Sequence, residues 1–331
     1  RAVSDDDEEQ LTESIDRLYD LQNYPFTALE LSPLVTEEEV AEVFVRVNSK
    51  GTPLNQADFI LTLMSVFWDE GRSALEEFCR RARTPSKHEP SPYNRFIEPA
   101  PDQLLRVSVA VGFRRARLQH VYSILRGKDL ETGEFSVERW REQFSALAEA
   151  QKITLNLQDW HDYFKALEQA GYRSGQMVTS QTSLVYCYAM YLIGRRYFGA
   201  DHYDLRNVLS RWFFMTSLTG RYTGASETAM EQDLARLRDV SDAPSFLGLL
   251  DRLVADVLTN DYWEITLPND LATSSARTPS LYAYHAALNI LDARALFSKH
   301  KVADFDPSAR APKSPVERHH LFPRGYLRAK E

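Results

Sequence analysis

Apolar side chains return every three to four positions along most of this sequence, and that period commits the chain to helices. The pattern is legible over residues 103–126, 136–150, 159–170, 180–198, 205–218, 227–239 and 245–258. Thr278-Pro279 opens another such stretch to about Phe297, because proline suits the first helical turn, where no N–H is needed. Nearer the start, Val40, Val43, Phe44 and Val47 share one helical face behind a Thr36–Glu39 capping pair. Gly51 lets the chain turn, and Asn55 with Asp58 can start a further helix through Phe59, Leu63 and Phe67. Only Phe26–Leu31 alternates apolar and polar residues, which predicts one short strand. Prolines at 85, 90, 92, 99 and 101 mark an expected boundary, and the polar, Pro-containing stretch from Asp304 to Pro315 marks a second.

With 331 residues, 44% hydrophobic and 26% charged, the chain can bury a core and falls in the range of two domains plus a small module. Cys79 and Cys187 are the only cysteines and stand far apart. A disulfide framework or paired-Cys zinc site is therefore not expected, and a reducing cytoplasm is the expected compartment. The longest apolar run, Leu184–Ile193, is short of the roughly 20 residues a membrane span needs and reads as a buried core helix. No membrane association is expected. The sequence opens on Arg1, with neither Met nor a signal-peptide pattern, and reads as a fragment.

A formal charge of −8 hides a segregated distribution. Gln103–Lys128 contains no Asp or Glu but carries Arg106, Arg114, Arg115, Arg117, Arg126 and Lys128. Such a stretch can meet DNA through phosphate contacts, with Arg114, Arg115 and Arg117 as the candidates, or can be a solvated basic face. The Asp5–Glu9 run is its opposite and reads as a solvated, poorly ordered end.

Three short segments carry chemistry. The first is Glu317-Arg318-His319-His320-Leu321-Phe322-Pro323. Adjacent imidazoles can supply a metal ligand and a general base, the two functions a phosphodiesterase needs. In a regular strand they would point to opposite faces, so the strand must end or bulge there, and Pro323 provides an ending. The second is Val43–Leu54, where Asn48, Lys50 and Gly51 form a turn that can offer backbone N–H groups and a positive charge to a phosphate. A capped helix corner is its ordinary explanation. The third is Gly220–Glu227 with Asp233 beyond it. Ser226 is a good N-cap there, and Arg221 lies near a positive helix end where an anion can be held; a glycine-flanked interhelical turn is the alternative. His285, in an apolar helix, reads as a packed histidine.

Taken together and in this order, the three segments resemble the GmrSD-type, modification-dependent (type IV) restriction endonucleases. The Phe44–Leu54 stretch is similar to a turn of that family's ParB-like N-terminal domain, and Glu317–Leu327 is similar to the opening of its C-terminal His-Asn-His (ββα-metal) nuclease motif. The resemblance implies a metal-ligand role for His319 and a general-base role for His320. It also implies that the later Asn and His of the motif come after Glu331, so that this chain alone is expected to be inactive as a nuclease. The family's upstream Asp-Gly-Gln-Gln-Arg signature is absent.

The expected fold is mainly α, a multi-helix bundle with a small α/β N-terminal part and an incomplete ββα-metal C-terminal segment. The expected domains are 1–84 (ParB-like), 85–303 (helical) and 304–331 (start of the nuclease). The expected function is sensing and cleavage of modified foreign DNA in antiphage defence, with Mg²⁺ or Mn²⁺ as cofactor and a nucleoside triphosphate as a second ligand the resemblance admits. DNA is the expected partner, with homo-oligomerisation left open. The alternatives are a non-catalytic helical DNA sensor and a nucleotide-driven switch.

Overall fold

The computed structural model describes residues 5–25, 28, 30–32, 35, 43, 56–128, 132, 134, 136–273, 278–296 and 298–304. The chain divides into two compact units, Arg1–Thr52 and Pro53–Glu331. Among the described residues the protein is mainly α-helical and contains no β-strand. An isolated antiparallel bridge joins Arg294 and Lys301.

In the first unit, helix α1 spans Asp5–Asp20 and runs into a 3-10 turn at Leu21–Asn23. The acidic opening is thus helical, where a poorly ordered end was expected. Leu11, Ile15 and Leu18 form one exposed apolar stripe on α1. Ala28, Glu30 and Leu31, the described members of the expected strand, lie in none.

The second unit is a helical assembly. It begins with α2 (Gln56–Phe67) and α3 (Asp69–Arg81), followed by α4 (Pro101–Phe113), α5 (Leu118–Leu125), α6 (Val137–Thr154) and α7 (Leu157–Gln169). Next come α8 (Gln181–Arg196), α9 (His202–Thr219), α10 (Ser226–Ala235), α11 (Ala243–Val257), α12 (Leu267–Thr273) and α13 (Pro279–Ile290). Side-chain caps fix several starts. Ser136, Asn156, Asp201, Asp242 and Thr278 each accept a backbone N–H from the first turn of the helix they precede.

Helix α8 is the centre, buried on every side from Ser183 to Gly194. That is why its sequence is apolar all round rather than on one stripe. Helix α4 packs on α6 and α8, and α9 packs on α7, α8, α11 and α13. Gly194 permits the tightest of these approaches, because a Cβ there would meet the Phe246 ring at 2.5 Å and Leu205 at 2.8 Å. None of the described helices is long and apolar enough to cross a membrane.

Two expectations are corrected here. The helix expected over 103–126 is broken, because Arg114 adopts the left-handed conformation (φ 53°) and caps α4 through its N–H to Ala110. The Pro-rich stretch, expected to separate domains, is packed into the second unit. Trp160 Nε1 and His161 Nε2 bond the Pro92 and Ser91 carbonyls at 2.8 Å each, and the Gly175 N–H donates to the Arg95 carbonyl. The Phe96 ring stacks on Phe164 at 5.3 Å. Pro85 to Pro101 therefore serves as a strap across α7, within the unit that runs from Pro53.

Candidate functional site

The break after α4 builds the site. Because α4 stops at Phe113, residues 115–117 run outside any helix beside α10, and the acid-free segment meets its acids in space. Arg106 forms an ion pair with Glu227, in the first turn of α10. Arg115 Nη1 donates to Glu231 Oε1 at 2.7 Å. The other oxygen of Glu231 accepts the backbone N–H groups of Ala116 and Arg117 at 2.6 and 3.2 Å. Glu227 and Glu231 are four residues apart, so they share one face of α10. Arg117 is exposed, with a long 3.5 Å contact from Nη2 to Thr228 Oγ1.

Electrostatics follow from this geometry. Burial works against the Arg106 charge, but Glu227 outweighs it and raises the guanidinium pKa. Burial likewise opposes ionisation of Glu231, and the Ala116 N–H with Arg115 turns the balance, holding its carboxyl below the usual 4.5. Arg114 has no carboxylate partner in this cluster. Its guanidinium lies 4.0 Å over the Tyr197 ring and donates back to the α4 carbonyl of Val111, and burial draws its pKa down.

The opposite face of α10 carries Asp233, which is fully buried. It accepts from Arg221 Nε at 2.9 Å and from Nη2, and also from Tyr222 Oη at 2.8 Å and Arg236 Nη1 at 2.9 Å. Arg221 also faces the Trp212 ring, 5.5 Å from its centroid. The hydrogen bond to Asp233 is the main cause that raises the Arg221 pKa. Arg221 is therefore committed to a carboxylate of its own chain rather than open to an anion at the helix end. Ser226 is the first helical residue and Ala225 the N-cap, with no side-chain cap bond. The expectation of a Ser226 cap is corrected accordingly. The Tyr222 ring meets Tyr186 of α8 edge-to-face at 5.4 Å.

The structure thus brings Arg115, Arg117 and Arg221 to the same helix, α10, and leaves Arg114 on Tyr197. Asn48, Lys50, Gly51, His319 and His320 lie outside the described residues. Among the described residues no group of three or more His, Cys, Asp or Glu is placed to hold a metal ion. The contribution of Glu227 and Glu231 was missed in the sequence. A signal existed, because an acid-free basic run beside a helix with acids at i and i+4 is a charge pattern seeking a partner. His285 is half-buried, with its ring 6.1 Å from Tyr284. No family model, curated protein or solved structure matches this chain at a significant level.

Proposed function

We propose that this protein is part of a DNA restriction endonuclease that senses modified foreign DNA and cleaves it by metal-dependent phosphodiester hydrolysis. The observation that carries the reading is the run Glu317-Arg318-His319-His320-Leu321-Phe322-Pro323, preceded in order by the Asn48–Gly51 turn and the Gly220–Glu227 segment. In this reading His319 is a metal ligand, and His320 takes the proton from the attacking water. An imidazole ligand fits a divalent transition ion such as Mn²⁺ better than Mg²⁺, which prefers oxygen donors. When bound, such an ion stabilises the charge that builds on the phosphate. DNA is positioned through phosphate contacts from the 103–128 segment, with Arg117 the most accessible of its three candidates.

The test is strand cleavage of modified and unmodified DNA by the full-length natural protein with Mn²⁺ or Mg²⁺. His320→Ala should abolish cleavage while leaving DNA binding and Tm unchanged, since a general base acts in the transition state and not in binding. His319→Ala should abolish it too, with partial recovery in excess Mn²⁺. Metal-dependent cleavage that survives His320→Ala would place the chemistry elsewhere.

A further inference from the structure

Helix α10 is anchored unevenly. Its buried residues, Met230, Asp233 and Leu234, all lie beyond the first turn. The first turn, Ser226–Ala229, has no buried residue and no side-chain cap. Ion pairs hold that end to the basic segment, through Glu227 on Arg106 and, one turn on, Glu231 on Arg115 and the two backbone N–H groups. The Glu227 and Glu231 side chains in these pairs are 35% and 16% exposed, whereas the Asp233 carboxylate is at 0%. The outer carboxylates are open to solute, and the Asp233 carboxylate is not.

Two carboxylates on one helical face, set against guanidinium groups and backbone N–H donors, match the chemistry that a nucleic-acid backbone would present to the same strip. We propose that α10 is a displaceable acidic clasp. Its Glu227 and Glu231 occupy the phosphate-binding strip of Arg106, Arg115 and Arg117 until duplex DNA takes their place, while Asp233 keeps the far end of the helix anchored. The proposal rests on the reading that this strip meets DNA. It adds Arg106 to the contacting residues and makes DNA binding self-limited, because the protein's own helix competes for the same donors.

The experiment compares a 20-bp duplex of arbitrary sequence binding to the full chain and to E227Q/E231Q. Glutamine keeps one acceptor oxygen for the Ala116 and Arg117 N–H groups, and replaces the oxygen that faces Arg115 with an uncharged amide nitrogen. The control is E142Q/E168Q, which makes the same change of net charge at two exposed glutamates not bonded to these arginines. Once DNA is bound, parent and variant make the same phosphate contacts, so their slopes of log affinity against log salt should agree, and the variant differs only in having no ion pairs to break first. Between 50 and 200 mM salt the clasp variant should therefore bind more tightly than the parent throughout, by up to about tenfold, the scale of two partly exposed ion pairs that no longer have to be broken.

If E227Q/E231Q behaves like the control, there is no clasp. If replacing Arg114, Arg115 and Arg117 with Gln leaves affinity and salt slope unchanged in the parent, the underlying DNA reading fails instead. A second measurement needs no variant, since duplex DNA should speed hydrogen exchange at the Ala229–Glu231 amides of the unmodified chain. Unchanged or slower exchange there overturns the displacement.

Discussion

Three near-adjacent arginines, Arg114, Arg115 and Arg117, meet three different environments within four residues, and formal charge alone distinguishes none of them. Arg114 is spent on an aromatic ring and a helix end, Arg115 on a carboxylate, and Arg117 faces solvent. Replacing all three with Gln should weaken DNA binding evenly across sequences and flatten its salt dependence, as read from binding isotherms at several salt concentrations. Asp233 presents the reverse case, a buried charge held by two arginines and a tyrosine. Asp233→Asn leaves Arg221 beside a neutral partner in a mostly buried site and should cost about 3 kcal/mol in chemical denaturation, the scale of a broken buried pair. Both thiols are sealed as well. Burial pushes Cys79 and Cys187 up from 9.0 to about 12, so neither should react with iodoacetamide until the protein unfolds. At the Asn48–Gly51 turn, Lys50→Ala should reduce ligand binding or activity with Tm unchanged if a phosphate is held there. If the turn is only a corner, Lys50→Ala should be silent and Gly51→Ala should lower Tm.

Helices were legible because their signals are local. The start at Thr278 follows from one polar side chain and one periodic run, and the Asn156, Asp201 and Asp242 caps set their helices two to three residues ahead of where periodicity alone starts them. What failed was decided by contacts between segments. The periodicity through 103–126 has no gap at 114–117, and nothing local announces that Glu231, more than a hundred positions later, will accept the N–H groups that the break leaves free. The helix expected to reach Phe297 stops at Ile290, where Asp292 takes a positive φ of 53°. Close packing of elements depends in the same way on distant partners. Gly194→Val would drive a branched side chain into Phe246 and Leu205. It should lower stability by about 3 kcal/mol or prevent folding, the upper end of the overpacking range.

For the whole molecule, stability should form a plateau that falls on both sides. The depressed carboxyls of Glu231 and Asp162, with ordinary values of 4.5 and 3.8, bind protons more readily unfolded than folded. Their contribution is therefore present above those values and lost as pH drops through the lower folded ones. The raised groups act at the other end. Cys79, Cys187 and the buried Tyr163, Tyr188 and Tyr222 resist ionisation in the fold, so stability is complete below their ordinary values of 9.0 and 10.0 and declines above them. A Tm series across pH should show both shoulders, and a flat profile from 3 to 11 would refute the assignment. Domain limits were the least legible feature, because proline marks a stop in secondary structure without saying whether the stretch that holds it is packed.

The strap from Pro85 to Pro101 has a consequence for how such a sequence can vary. It is fastened largely through its main chain, by the Ser91, Pro92 and Arg95 carbonyls and the Phe96 ring. Prolines there are tolerated because they supply carbonyls and are asked for no N–H. Most of its side chains are then free to drift over generations at little cost. A one-residue insertion or deletion would instead shift every carbonyl out of reach of Trp160 and His161. Selection on this stretch should accordingly act on its length far more strongly than on its letters.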